Sequence, residues 1–209
     1  METEEVVKRR KRAEYLKRLN RNSIILDKTI KKATFDNFKA TTDQEISALK
    51  FARDIAEYYK KGGEGNTVVS GPAGTGKSHL SMSILKSCLD VDDLSVIFAS
   101  YSEVLRLIKD SFNNKDSFYS LEYFMEIFRN TDLLVLDDIG SEQITEWSQA
   151  LLTDVLDGRT KTIITTNLSS DELRKKYNNR IYSRVFRGVE KKAFNFKNIK
   201  DKRVSQIPF

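Results

Sequence analysis

A short glycine-rich run holds the residues of this sequence with the most specific chemistry. Residues 71–78 read GPAGTGKS and match the spacing G-x-x-x-x-G-K-[ST]. Glycines let the backbone curl so that its N–H groups point at phosphate oxygens, and a helix beginning near Lys77 adds the positive end of its dipole. Lys77 would then reach the β- and γ-phosphates of a nucleotide, and the Ser78 hydroxyl is a hard oxygen ligand for Mg²⁺. We therefore predict an ATP and Mg²⁺ site, against the alternative of a glycine loop that only turns the chain. The predicted nucleotide contacts are Gly71, Pro72, Ala73, Gly74, Thr75, Gly76, Lys77 and Ser78.

A second candidate group follows an apolar run, residues 133–138, which reads LLVLDD. A run of this kind is typical of a strand covered on both faces, and the carboxyl ends of parallel strands meet at one sheet edge. Asp137 is therefore predicted to lie beside the glycine loop and to hold Mg²⁺. Asp138 is the candidate base that orients and deprotonates the attacking water, with Glu142 as the runner-up. The alternative is a strand that simply ends in polar residues.

Two further polar residues belong to the predicted site. Asn167 ends the next apolar segment, where its amide can hydrogen-bond both the attacking water and the γ-phosphate; the alternative is a turn former or helix cap. His79 directly follows Ser78 and is included among the nucleotide-site residues, although a structural role is favoured for it.

The elements that must position these residues alternate between strand and helix. This alternation predicts an α/β fold, a three-layer αβα P-loop NTPase with a central parallel five-stranded sheet. Three helix starts carry a Ser or Thr followed three residues later by Glu, the capping-box pattern, at Thr42, Ser100 and Ser169. The predicted strands are 67–70, 95–100, 133–137, 161–166 and 193–196.

Composition and charge limit the other possibilities. The chain has 209 residues, of which 39% are apolar and 32% charged, so it fits one domain of ordinary size. One cysteine and one histidine cannot build an internal disulfide or a Cys/His zinc site, and no run approaches the ~20 apolar residues of a membrane span. We therefore expect a cytoplasmic protein. The net charge of +6 suggests a polyanionic partner, and the basic residues cluster at 8–21, 174–187 and 191–203.

Two segments are predicted. Residues 1–30 form a basic, helix-compatible arm with only a weak apolar stripe, and residues 31–209 form the nucleotide-binding domain. The arm has three open interpretations: it binds DNA, it binds an acidic surface of a partner protein, or it is a solvated helix with neither role.

Several stretches together resemble the DnaC/DnaI-type replicative helicase loaders. They are ATFDNF, GPAGTGKSHL, LLVLDDIGSEQITEW, TIITTNLS and NNRIYSRVFRG, in that order, and the resemblance covers roughly residues 29–203. IstB-type ATPases of transposons and, further off, the DnaA initiator are similar too. The resemblance implies an AAA+ ATPase domain at 31–209, with a helical lid that is reduced or absent. It also implies ATP hydrolysis, a homo-oligomeric assembly, and a DnaB-type replicative helicase and single-stranded DNA as partners.

The resemblance also implies roles for individual residues. Asn167 would be the sensor 1 residue, and Arg203 the sensor 2 residue. Arg184 would be an arginine finger that reaches the γ-phosphate of a neighbouring subunit's ATP. Arg180 is the alternative finger, and a solvated basic helix face is the alternative for both. Asp138 stands where glutamate is more usual, so slow hydrolysis is expected.

Other functions stay open from the sequence. An IstB-like transposition ATPase would share the ATPase chemistry and differ in its partner. A nucleotide-gated adaptor would bind ATP with little turnover. A small-molecule kinase would use a mobile, arginine-rich lid from the same chain, for which 174–187 is the candidate. Helicase loaders usually carry a separate N-terminal domain that grips the helicase, whereas only about 30 residues precede the family region here.

Overall fold

Five parallel strands form one sheet at the centre of the structure, a computed structural model that describes residues 4–92, 94–114 and 116–202. The strand order is β2-β3-β4-β1-β5, and each neighbouring pair is parallel. The predicted parallel five-stranded sheet is therefore confirmed. The strands are β1 Thr67–Ser70, β2 Val96–Ser100, β3 Leu133–Ile139, β4 Thr162–Thr166 and β5 Ala193–Asn195.

Helices cover both faces of the sheet, as the three-layer prediction requires. Strand residues alternate between two hydrophobic clusters, because successive side chains of a strand point to opposite faces. Leu134 and Leu136 join the cluster packed by α4–α8, whereas Leu133 and Val135 join the cluster packed by α1–α3. The helices are α1 Glu4–Asn22, α2 Asp43–Lys60, α3 Lys77–Cys88, α4 Tyr101–Asn113, α5 Leu121–Arg129, α6 Glu146–Asp157, α7 Ser170–Lys176 and α8 Asn179–Val185, with a 3₁₀ helix at Lys28–Lys32.

Local signals in the sequence mark most helix starts. The capping boxes at Thr42 and Ser169 are present, each with the glutamate three residues on bonded back to the cap. The predicted cap at Ser100 is wrong in its chemistry: α4 begins there, but the side chain makes no capping bond. The Ser100 hydroxyl instead accepts a hydrogen bond from the Leu26 amide at 3.3 Å, because the N-terminal segment passes along this end of β2.

The N-terminal segment contacts the sheet through its second half. Leu19 is only 1% exposed and belongs to the cluster under α2 and α3. Ile24 forms a parallel bridge with Ala99, donating from its amide to the Phe98 carbonyl at 2.9 Å and accepting from the Ser100 amide at 2.8 Å. The division into an arm at 1–30 and a domain at 31–209 stays a prediction.

In the described residues, no helix has the length and apolar character of a membrane span.

A buried arginine holds the ends of β3 and β4 together. Arg159 is 6% exposed and donates to the carbonyls of Phe128, Asp132 and Lys161, and burial lowers its pKa to about 10. The Arg159→Leu substitution removes a charged donor from these carbonyls, so we expect it to lower the free energy of unfolding by about 2–4 kcal/mol. The midpoint of urea unfolding measures this change.

An exposed arginine provides the control for that experiment. Arg106 pairs with Glu103 and Asp110 on the surface of its own helix, where water and salt screen the charges. We expect Arg106→Leu to leave the unfolding midpoint nearly unchanged. Equal shifts for the two variants would contradict the structural role of Arg159.

Candidate functional site

The glycine-rich turn between β1 and α3 needs its glycines for both conformation and space. Gly71 and Gly76 have φ values of 135° and 99°, which side-chain-bearing residues rarely adopt. A Cβ on Gly71 would lie 2.7 Å from the Cβ of Phe196, and one on Gly76 would lie 2.6 Å from Cε2 of Phe38. The amides of Gly74 and Gly76 have no acceptor among the described residues. These N–H groups are therefore free to meet an anion such as phosphate.

Lys77 begins α3 and connects this turn to the end of β4. Its side chain is nearly buried, and its ammonium donates to the carbonyls of Gly71 at 2.8 Å and Pro72 at 2.7 Å. It also donates to Oδ1 of Asn167 at 2.7 Å. The structure thus brings together two predicted site residues that lie far apart in the sequence. These three acceptors are neutral oxygens, and phosphate oxygens in their place would make charge-assisted, stronger hydrogen bonds with the ammonium.

Ser78 and Asp137 meet at the carboxyl end of the sheet. The Ser78 hydroxyl donates to Oδ1 of Asp137 at 2.7 Å, and the Thr165 hydroxyl donates to the same oxygen at 2.7 Å. Burial raises the pKa of Asp137 to about 6, and the two hydroxyl hydrogen bonds offset this only in part. A carboxylate and a hydroxyl at this spacing are suitable oxygen ligands for Mg²⁺. Thr165 was missed from sequence, where it reads only as one more β-branched strand residue.

Asp138 has an unusual backbone conformation for a residue inside β3. Its φ is 60°, and the register of β3 against β4 shifts between Leu136 and Ile139. The Asp138 amide donates to the Thr165 hydroxyl at 2.8 Å, and its Oδ1 accepts from Nδ2 of Asn167 at 2.7 Å. Aspartate tolerates this left-handed region better than most residues. Asn167 therefore bridges the ammonium of Lys77 and the carboxylate of Asp138.

The runner-up base, Glu142, is committed to other contacts. It is 7% exposed, and its Oε2 accepts from the Gly140 amide at 2.8 Å. Its Oε1 accepts from the Tyr177 hydroxyl, so both oxygens are bonded. Lys176 also donates to the Gly140 carbonyl. Glu142 therefore ties the loop after β3 to the end of α7.

His79 and the C-terminal segment lie on the other side of the glycine turn. The His79 ring contacts the Thr34 carbonyl through Nε2 at 2.9 Å and packs edge-on against Phe38 at 5.4 Å. These contacts favour the structural alternative for His79.

Arg203 lies outside the described residues. Its neighbour Lys202 donates from its amide to the Gly74 carbonyl at 2.9 Å, so the chain reaches the glycine turn immediately before Arg203.

The two candidate fingers lie on α8, and both bond Asp157 at the end of α6. Arg184 donates through Nε to Oδ1 of Asp157, and Arg180 donates through Nη2 to Oδ2 at 2.5 Å. The two arginines hold the pKa of Asp157 below its usual range. No contact between Arg184 and Lys77, Asp138 or Asn167 is present in the described part of this single chain.

An ion pair between the C-terminal segment and α2 gives a pH prediction. Burial acts to raise the pKa of Glu45, but the hydrogen bond from Lys202 and those from Thr41 and Thr42 lower it from 4.5 to about 2. A depressed pKa means that this stabilisation is present above pH 4.5 and is lost as the pH falls through 2. We expect Glu45→Gln to destabilise the protein at pH 7 by up to about 1 kcal/mol. Thermal unfolding at pH 7, 4 and 3 should show the difference from wild type shrinking with acid.

A solvent-exposed glutamate is the matched control. Glu126 is exposed on α5, and we expect Glu126→Gln to change stability little at any of these pH values. A Glu45→Gln deficit that stayed constant from pH 7 to pH 3 would contradict the assignment to the ionised carboxylate.

Comparison with known proteins places this chain in a family. The model described as "IstB-like ATP binding protein" matches residues 1–183. The replicative helicase loader DnaC of Escherichia coli (strain K12) is 28% identical over 156 residues, which are 73% of this chain and 62% of DnaC. The chain thus spans about three fifths of that relative's length.

Solved structures show the same fold. A crystal structure of the DnaC helicase loader aligns with a TM-score of 0.65 at 24% identity, covering 83% of this chain and all of that one. DnaA from Aquifex aeolicus, solved with AMPPCP bound, aligns with a TM-score of 0.65 at 18% identity, covering 86% of this chain and 54% of that one. The fold is that of AAA+ P-loop proteins, and the chain belongs to the IstB-like ATP-binding protein family.

Proposed function

We propose that this chain is an ATP-hydrolysing AAA+ protein that loads a DnaB-type replicative helicase onto single-stranded DNA. One observation carries the ATPase part: Lys77, Asn167 and Asp138 form a continuous hydrogen-bonded chain beside the Ser78–Asp137 pair. The likeness to a replicative helicase loader over 73% of this chain supports the choice of partner.

ATP is the proposed substrate, and the residues of the glycine turn suit its phosphates. The amides of Gly74 and Gly76 have no acceptor among the described residues, and Lys77 adds a nearly buried positive charge. Residues 71–78 would surround the phosphates. His79 would have a structural role next to the turn, through its contacts with Thr34 and Phe38. Ser78 and Asp137 would hold Mg²⁺, which neutralises charge on the phosphate oxygens when bound.

Asp138 is the proposed base, and Asn167 the residue that positions the water and the γ-phosphate. The bridging position of Asn167 supports this assignment, because one amide contacts both the phosphate-binding lysine and the base. Arg184 is proposed to complete the site of a neighbouring subunit in a homo-oligomer. Single-stranded DNA would be held mainly through its phosphates, so binding should weaken steeply with salt.

The experiment mixes the purified protein with the replicative helicase of the cell or element that encodes it, in ATP and in ADP. The mass of the co-eluting species is measured by light scattering on a sizing column. Wild type is compared with Lys77→Ala and Arg184→Ala. A stable co-complex that changes with the nucleotide, and with either substitution, is the expected result.

Failure to form a co-complex in any nucleotide state would contradict helicase loading for that helicase. The ATPase assignment is tested separately, by nucleotide binding and turnover of the protein alone and with single-stranded DNA. The co-elution experiment therefore tests the partner, and the binding and turnover measurements test the ATPase chemistry.

A transposition ATPase of the IstB type is the second candidate, favoured by the family match over residues 1–183. Its active site would be the same, and its partner would be a transposase. Repeating the co-elution experiment with the transposase of the same source decides between the two. A nucleotide-dependent complex with the transposase alone would favour this second function.

A further inference from the structure

Three arginines lie close to the carboxylate of Asp157 at the end of α6. Arg180 and Arg184 lie on α8, Arg187 follows it, and all three approach this one carboxylate. A carboxylate at the carboxyl end of a helix faces the negative end of the helix dipole, which is unfavourable unless cations offset it. One negative charge against three positive charges leaves the cluster strongly cationic. The cluster therefore suits a further anion from outside the chain.

The backbone that carries Arg184 is held firmly. Ile181 and Val185 of α8 are buried in the core, at 0% and 1% exposure. Asn66 donates through its side-chain amide to the carbonyls of Arg184 at 2.8 Å and Val185 at 3.3 Å. Movement of the Arg184 side chain is therefore limited to its own torsions, which its contact with Asp157 restrains.

The two candidate fingers bond Asp157 through different atoms. Arg184 uses Nε, and its two terminal nitrogens have no acceptor among the described residues. Arg180 uses the terminal Nη2 and so commits part of its fork to the carboxylate. A guanidinium binds a phosphate through two parallel N–H groups, and the terminal pair of Arg184 can serve in this way while Nε stays on Asp157. The geometry therefore favours Arg184 over Arg180 as the finger.

We propose that Asp157 is a positioning residue that holds Arg184 by Nε and directs its terminal nitrogens toward the γ-phosphate bound by a neighbouring subunit. This inference rests on the proposed function, because it requires ATP hydrolysis at a site shared between subunits. Holding the guanidinium before assembly removes the need to order it at the moment of reaction. Asp157 itself does not touch the nucleotide.

The first test is the turnover of Asp157→Ala, measured with single-stranded DNA present. We expect kcat to fall about 10- to 100-fold, as for misplacement of a catalytic group, with little change in KM for ATP. The KM is retained because the P-loop of the same subunit is intact. Asp157→Asn keeps an acceptor for Nε, so its kcat should lie between those of wild type and Asp157→Ala. Asp154→Ala, an exposed acid one turn earlier on α6, should match wild type.

Subunit mixing separates a role in trans from simple damage to the fold. Lys77→Ala subunits lack a working P-loop but carry a correctly held Arg184. Mixing them with Asp157→Ala subunits should restore turnover above that of either variant alone. A mixture of Asp157→Ala with Arg184→Ala should not recover, because neither subunit supplies a positioned arginine.

The reference mixture is Arg184→Ala with Lys77→Ala. If this mixture recovers ATP turnover and Asp157→Ala alone has the kcat of wild type, the inference is wrong and the proposed function stands. Recovery there, with an Asp157→Ala deficit that mixing does not relieve, would mean that Asp157 is only structural. No recovery in the reference mixture, or no turnover by wild type, would contradict the shared ATPase site and the inference with it.

Discussion

Replacing Lys77 with alanine is expected to weaken ATP binding by about 100-fold or more. A hydrogen bond to a charged group contributes about 1.5–3 kcal/mol, and a tenfold change in affinity corresponds to about 1.4 kcal/mol. The Lys77 ammonium already has three acceptors within 2.8 Å, so the side chain is positioned before a nucleotide arrives. Titration with a fluorescent ATP analogue measures the loss directly.

The control for Lys77→Ala removes a lysine that lies away from the turn. Lys50 is exposed on α2, and Lys50→Ala should bind the analogue as wild type does. The unfolding midpoint of Lys77→Ala should also be measured, because the Gly71 and Pro72 carbonyls lose a donor. Wild-type affinity in a folded Lys77→Ala variant would contradict the phosphate site.

Replacing Asp138 with asparagine is expected to lower kcat for ATP hydrolysis by about 10²- to 10⁴-fold, the usual contribution of a general base. Binding of ATP should change little, because Lys77 and Ser78 are untouched. Asparagine also tolerates the left-handed backbone found at position 138, where φ is 60°, and can still accept from Asn167. A lower kcat in this variant therefore reflects the loss of the base, because the substitution does not strain the backbone.

Glu142→Gln decides between the two candidate bases. Glutamine can still accept from the Gly140 amide and face the Tyr177 hydroxyl, so the loop should keep its shape. We expect its kcat to stay close to that of wild type in the same steady-state assay that shows the loss in Asp138→Asn. The opposite pattern, with a large loss only in Glu142→Gln, would transfer the role of base to Glu142.

The parts of the fold that follow from local rules could be predicted from the sequence. The capping box at Thr42 involves residues three apart, and the apolar run before Asp137 is long enough to be recognised as a buried strand. The glycine turn has a sequence pattern because its glycines act through the local backbone and its lysine and serine follow at a fixed spacing. These features depend on neighbours in the chain, so they can be read without knowing the tertiary structure.

The contacts that complete the site could not be predicted, because they join residues distant in the chain. The Thr165 hydroxyl bonds a carboxylate 28 positions away, and the Tyr177 hydroxyl bonds Glu142 at a separation of 35. Lys202 reaches the Lys39 carbonyl across 163 positions. Single serines, threonines, tyrosines and lysines have no spacing that marks such partners. The carboxylate beside Arg184 was missed for the same reason, 27 positions before it.

The bridge between Ile24 and β2 has a consequence for how copies of this chain meet. β2 is the outermost strand on its side of the sheet, and Ile24 occupies hydrogen-bonding groups along its open edge. An uncovered edge strand is a template onto which another chain can add by strand pairing, and this leads to aggregation. A chain beginning at residue 31 would lose that cover. The N-terminal segment therefore covers this edge of the sheet and disfavours strand pairing between copies of the chain.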